Sequence, residues 1–111
     1  VVYADKFSKE EGEIDWEMPA QSISRKVRAF NPWPVAWTGF NGNKLRVWQA
    51  QVRPGDVAGM PGEVIAADKQ GIVVQCGSGQ LVIEILQLPG KRVMSAADFL
   101  NAHSILGARF E

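Results

Sequence analysis

The sequence predicts a mainly β fold: a small five-stranded barrel with one helix before it and one after it. Three observations support this. Apolar spacing changes from a period of 3.6 to a period of 2 after Asn31-Pro32-Trp33-Pro34. Turn signals then recur at short intervals as far as Gly90. The chain has 111 residues, 46% hydrophobic and 22% charged, which suits one domain with one modest core. Five strands in so short a chain point to an OB-like barrel, closed or nearly closed, with helices plugging an end; an open sandwich is the second architecture.

The elements follow in order. Val1 to Gly12 is rich in charge and lacks a sustained apolar period, so it reads as an extended lead-in or linker. A helix follows Pro19, with Ile23, Val27 and Phe30 at i, i+4 and i+7 on one stripe. It must stop before Asn31, because each following proline drives its predecessor out of helical geometry. Val35, Trp37 and Phe40 make a short strand, and Asn41-Gly42 is a hairpin turn. The return strand, Lys44 to Val52, alternates Leu45, Val47, Gln49 and Gln51 against Arg46, Trp48, Ala50 and Val52. Residues 53–62 are loop. Further strands span Glu63 to Ala67, Gly71 to Cys76 and Gln80 to Leu88, with Pro89-Gly90 ending the sheet. Ser95 and Asp98 fit a capping box for the last helix, Met94 and Phe99 a hydrophobic staple, and Gly107 a stop.

Composition removes several function classes. One Cys excludes an internal disulfide and a multi-Cys zinc site, and with one His a transition-metal site would need carboxylates almost alone. No apolar run approaches the ~18 residues of a membrane span, so no membrane role is expected. The net charge of zero is uneven: residues 1–24 sum to −4 and residues 54–111 to −2. Residues 25–53 hold Arg25, Lys26, Arg28, Lys44, Arg46 and Arg53 with no acid, a net of +6. An anion would feel that field, although a solvated face is the plainer explanation.

Catalytic constellations are thin, and no catalytic or metal-binding residue is assigned. His103 has no Ser or carboxylate at a triad-like spacing. Cys76, ending an apolar strand, reads as a small buried hydrophobe. Gly77-Ser78-Gly79 is a hairpin turn, since a phosphate loop would be followed by a helix. Trp33, Trp37 and Trp48 are expected to fill the barrel core and its plugged end; base stacking beside basic neighbours is their alternative role. Trp16 reads as an anchor docking the lead-in on the domain.

The run Arg28-Ala-Phe-Asn-Pro-Trp-Pro34 after an amphipathic helix resembles the C-terminal domain of bacterial methionyl-tRNA formyltransferases. Other pieces fall in the same order: Ile14-Asp15-Trp16, Val47-Trp48-Gln49-Ala50, Pro61-Gly62, Cys76-Gly77, Leu86-Gln87, Gly90-Lys91 and Met94-Ser95-Ala96. The resemblance covers about Tyr3 to Asn101, and it implies that residues 1–13 are the remnant of an interdomain linker and 14–111 the C-terminal domain. It implies a cytoplasmic, two-part enzyme of translation initiation. Its N-terminal domain would transfer a formyl group from 10-formyltetrahydrofolate to initiator methionyl-tRNA, and this barrel would help to hold the tRNA. The family's SLLP motif and its catalytic Asn, His and Asp match no position here, so this domain is expected to be non-catalytic and to need no cofactor of its own.

A basic barrel face should act on the phosphates of a structured RNA, which position it without identifying it. The tRNA contacts expected are Lys44, Arg46, Arg53, Lys91 and Arg92, with Arg25, Lys26 and Arg28 as further candidates. Arg28 is alternatively a structural partner for an acid such as Asp15. Two rival functions remain: an accessory domain of a related formyltransferase acting on a sugar nucleotide or folate, and a protein-interaction barrel.

Overall fold

A computed structural model describes residues 12–31, 35–40, 42–55, 59–103 and 105–110. Most of the expected linker (residues 1–11), Trp33 and Asn41 lie outside these. The elements are α1 (Ala20–Ala29), β1 (Trp37–Phe40), β2 (Asn43–Arg53), β3 (Val64–Asp68), β4 (Gly71–Gln75), β5 (Gln80–Gln87), β6 (Met94–Ser95) and α2 (Ala96–Ala102). Every strand pairing is antiparallel, in the order β1-β2-β5-β4-β3, with the two-residue β6 added beside β5.

The predicted elements are present, and the structure corrects their arrangement. The sheet has a sixth strand, β6, too short to show any period in the sequence. It is also not closed, so the domain is barrel-like at most: β1 and β3 are its two ends and do not pair with each other. Instead the lead-in lies along β1, with a parallel bridge from Glu13 to Trp37 and Ile14 N–H donating to the Trp37 carbonyl. The C-terminal tail lies along the start of β3, where Val64 N–H donates to Ala108 O and Phe110 N–H to Gly62 O. Each open edge is thereby met at its first residue by its own segment of chain.

α1 buries Ile23 and Val27, with Phe30 at its C-cap, as the stripe requires. Beyond it Val35 stands at φ 71°, an outlier for a β-branched residue that persists only where its surroundings hold it. Its N–H donates to the Phe30 carbonyl at 2.8 Å, and its side chain is buried. α2 starts as expected, with Ser95 Oγ accepting from Asp98 N–H at 3.2 Å and Phe99 buried behind it. It ends at Ala102; Gly107, at φ 85°, turns the tail and does not stop the helix.

Leu45, Val47, Ile72, Val74, Leu81, Ile83, Leu86 and Phe99 form the fully buried centre. An aromatic group closes the gap between the sheet ends. Trp16 packs on Phe110 (centroids 5.9 Å apart), Phe110 on Phe40 (5.7 Å) and Phe40 on Phe99 (6.0 Å). The Trp16 indole N–H donates to Thr38 Oγ1 at 2.8 Å, so Trp16 anchors the lead-in as expected.

The clean alternation expected along β2 is broken. Its register against β5 runs Val47↔Leu86, Gln49↔Ile85, Ala50↔Ile83, which leaves Trp48 as an extra residue on β2 and Glu84 as one on β5. The two bulges compensate each other, and between them the buried side of each strand changes parity. Leu45 and Val47 face inward before the shift and Ala50 after it, while Gln49 and Gln51 are exposed together with Arg53.

Candidate nucleic-acid interface

On the outer face of β1, β2 and β5, Trp37 pairs with Arg46, and Arg46 with Gln87. All three are half-exposed. Lys44, two positions before Arg46 on the same side, places its ammonium 4.4 Å from the Trp37 ring centroid, a cation–π contact. Trp48 Nε1–H donates to Gln87 Oε1 at 3.0 Å, and Gln87 Nε2–H donates to the Lys91 carbonyl at 2.8 Å. Gln87 therefore ties the turn carrying exposed Lys91 and Arg92 to the strand face carrying Lys44 and Arg46. These two basic segments, distant in sequence, meet at one end of the sheet.

The other candidates lie elsewhere. Arg53 pairs with Gln80 at the far end of β2, roughly 23 Å along the strand from Arg46 at ~3.3 Å per residue. There it shares a groove with two acids, Asp68 and Glu84, which outnumber its one charge. Arg25 is exposed on α1. Lys26 donates to the Glu13 carbonyl at 3.0 Å and helps hold the lead-in. Arg28 donates through Nη1 to Ser24 Oγ, one turn back on its own helix, at 3.0 Å. It does not partner Asp15, whose carboxylate instead accepts the Glu17 backbone N–H. Lys26 and Arg28 both sit in the last turn of α1, where positive charge complements the helix dipole.

Two of the tryptophans depart from expectation. Trp37 and Trp48 are half-exposed and outside the core: Thr38 and Phe40 occupy the inward positions of β1, and Leu45 and Val47 those of β2, which leaves Trp37, Arg46 and Trp48 outward. The parity shared with Arg46 was the available signal. A polar set also escaped the sequence reading: Asn31, Gln49, Gln51 and Glu84 line a groove of about 490 Å³ between α1 and β2, with Arg28 and Trp48. Alternate polar residues in the second half of β2 were its only trace.

Other titratable groups have structural settings. His103 stacks on Phe99 with ring centroids 4.4 Å apart. Cys76 is buried, and desolvation pushes its thiol up to about 12. Among the described residues no cluster of three or more His, Cys, Asp or Glu could hold a metal ion, and no helix is long and apolar enough to cross a membrane.

Comparison with known proteins adds the family. The model of the formyl transferase C-terminal domain matches residues 6–104. The methionyl-tRNA formyltransferase of Methylococcus capsulatus is 52% identical over 109 residues, which are 98% of this chain and 35% of that protein. Those of Hydrogenovibrio crunogenus (46% over 107 residues; 96% and 34%) and Coxiella burnetii (52% over 101 residues; 91% and 32%) are similar. The chain thus spans about a third of the length of the curated relatives it matches. Among solved structures, HypX from Aquifex aeolicus in complex with tetrahydrofolic acid matches with a TM-score of 0.70. At 23% identity, covering 86% of this chain and 17% of that one, it shows the shared fold alone.

Proposed function

The chain belongs to the formyl transferase C-terminal domain family, and from that premise we propose that it is the tRNA-holding part of a methionyl-tRNA formyltransferase. The observation behind this reading is the meeting of Lys44 and Arg46 with the Lys91-Arg92 turn through Gln87. Two cationic segments on one rigid sheet end can engage successive phosphates of a folded RNA stem, and backbone contacts of this kind fix register and orientation. The half-exposed Trp37 and Trp48 beside them offer ring surface to an unpaired base or a ribose.

In this reading the domain holds and does not react. Formyl transfer from 10-formyltetrahydrofolate to initiator methionyl-tRNA belongs to the N-terminal domain of the whole enzyme, in the cytoplasm. No residue here is assigned a chemical step. The identity of the initiator tRNA is read chiefly at its acceptor end by that other domain.

The test is tRNA retention as a function of salt. With about five phosphates engaged, affinity should fall on the order of 10²- to 10³-fold between about 50 and 200 mM salt, taking the duplex slope. Replacing Lys44, Arg46, Lys91 and Arg92 together by Gln should weaken binding and flatten that slope. An interaction indifferent to salt would refute the reading; retention of a folate or sugar nucleotide in place of tRNA would favour a different formyltransferase.

A further inference from the structure

We propose that the groove between α1 and β2 is a ribose site, in which hydrogen-bond acceptors on Gln49, Gln51 and Glu84 take the 2′-hydroxyls of an RNA backbone whose phosphates lie on Arg28 and Arg46. This deepens the tRNA-holding reading and rests on it. Gln49 donates from Nε2 to Glu84 Oε1 at 2.7 Å, and Gln51 donates from Nε2 to the same oxygen at 3.4 Å. Each amide thus turns its nitrogen toward Glu84 and its carbonyl oxygen away from it. Asn31 is oriented in the same sense, with Nδ2 donating to the Trp48 carbonyl at 3.0 Å and Oδ1 on the other side. With the second oxygen of Glu84, the groove carries an array of acceptors.

Such an array cannot take phosphates directly, because an ionised carboxylate repels them. It suits a ligand that donates. Arg28 lines the same groove, and Arg46 precedes Trp48 by two positions on the same outer side. Their guanidinium groups keep donors beyond the single Arg28 bond to Ser24. Acceptors flanked by cations match a sugar–phosphate backbone that alternates hydroxyl donors with anions, and only ribose supplies the 2′-hydroxyl donor. The local backbone is shaped accordingly. The bulges at Trp48 and Glu84 put Gln49 and Glu84 on the exposed side, where a regular register would alternate them differently.

The experiment compares the intact protein's affinity for an unmodified tRNA transcript with that for the same transcript carrying 2′-fluoro pyrimidines. Fluorine keeps the phosphates and A-form geometry and removes the hydroxyl donor. The unmodified transcript should bind about five- to tenfold tighter, the worth of one or two hydrogen bonds exchanged with water. In the double variant Gln49→Ala/Gln51→Ala, and separately in Glu84→Gln, the ratio should collapse toward one. Affinity for the fluoro transcript should persist in both, which also reports that they are folded. Equal affinities in the unaltered protein would overturn the ribose site and leave the tRNA-holding reading standing. A ratio unchanged in both variants would overturn the assignment to these residues. Failure to retain either transcript at low salt would overturn the tRNA-holding reading and the ribose site together.

Discussion

Gly77 lies where the lead-in crosses the turn between β4 and β5, and replacing it with Ala should loosen the whole crossing. A Cβ at Gly77 would overlap the Glu17 carbonyl oxygen and stand 2.6 Å from the Glu17 carbonyl carbon. Backbone cannot swing aside as a side chain would, so the segment from Ile14 to Pro19 must move. Two hydrogen bonds join the lead-in to this turn: Gly77 N–H to Met18 O at 3.1 Å and Ala20 N–H to Ser78 O at 2.9 Å. Losing both costs about 2 kcal/mol. Exposing a third of the Trp16 side chain, roughly 70 Å² at ~25 cal/mol per Å², adds about 1.7 kcal/mol. Gly77→Ala should therefore destabilise by about 3–4 kcal/mol, a large part of the ~5–15 kcal/mol available to a domain. Urea unfolding followed by circular dichroism measures it. The mechanism is checked by a double-mutant cycle with Trp16→Ala, itself expected to cost about 3–5 kcal/mol. Because the displaced lead-in has already surrendered part of the Trp16 contact, the two should fall short of additivity by at least about 1 kcal/mol. A cost for Gly77→Ala below ~0.5 kcal/mol, or strict additivity, would refute the reasoning.

Three further outcomes are expected. Ser95→Ala removes the hydroxyl that accepts the Asp98 N–H and should cost about 0.5–2 kcal/mol in urea unfolding. Thr38→Val takes away the acceptor of the buried Trp16 indole N–H and should cost about 1–3 kcal/mol, with a shift in tryptophan fluorescence. Cys76 should resist alkylation at pH 8 in the folded protein and react at full rate once unfolded, since burial raises its thiol from 9.0 to about 12. The sign of the linkage follows: above pH 9 the unfolded chain releases this proton while the folded one keeps it, so stability falls as pH rises toward 12. Cys76→Ala should lessen that alkaline loss in a pH series of unfolding curves.

Among the described residues, both helices and five of the six strands are legible in the sequence because local rules specify them. The Ile23, Val27, Phe30 stripe makes α1, the Ser95 cap starts α2, and turn residues separate the strands. What escaped depends on pairing. A bulge leaves no mark on a single strand; the parity change at Trp48 exists only against Glu84 on β5, 36 positions away in sequence. Large aromatics are expected in a core, but Thr38 and Phe40 fill the inward positions of β1 and Leu45 and Val47 those of β2, so Trp37 and Trp48 stand outside it. In the candidate site, the basic residues were visible as a cluster in sequence, yet Gln87 joins only Lys91 and its neighbour to the Lys44–Arg46 face. Arg53, close to Arg46 in sequence, stands at the other end of the strand.

The seam between the lead-in and the tail sets an order of assembly. Each hairpin of the sheet closes over a few residues, whereas Trp16 and Phe110 meet across 94 positions of chain. The loop-closure cost grows with the logarithm of that separation, so the seam contact is favourable only once the strands have already drawn the two segments together. The sheet can pair while the gap still lies open, and Phe40 meets the Phe110 ring only when the two segments close on each other. In the finished protein the same contacts, resting on few backbone bonds, should be the earliest to exchange their amide hydrogens, with Ile14 and Phe110 opening before Val74 or Leu81 in the sheet.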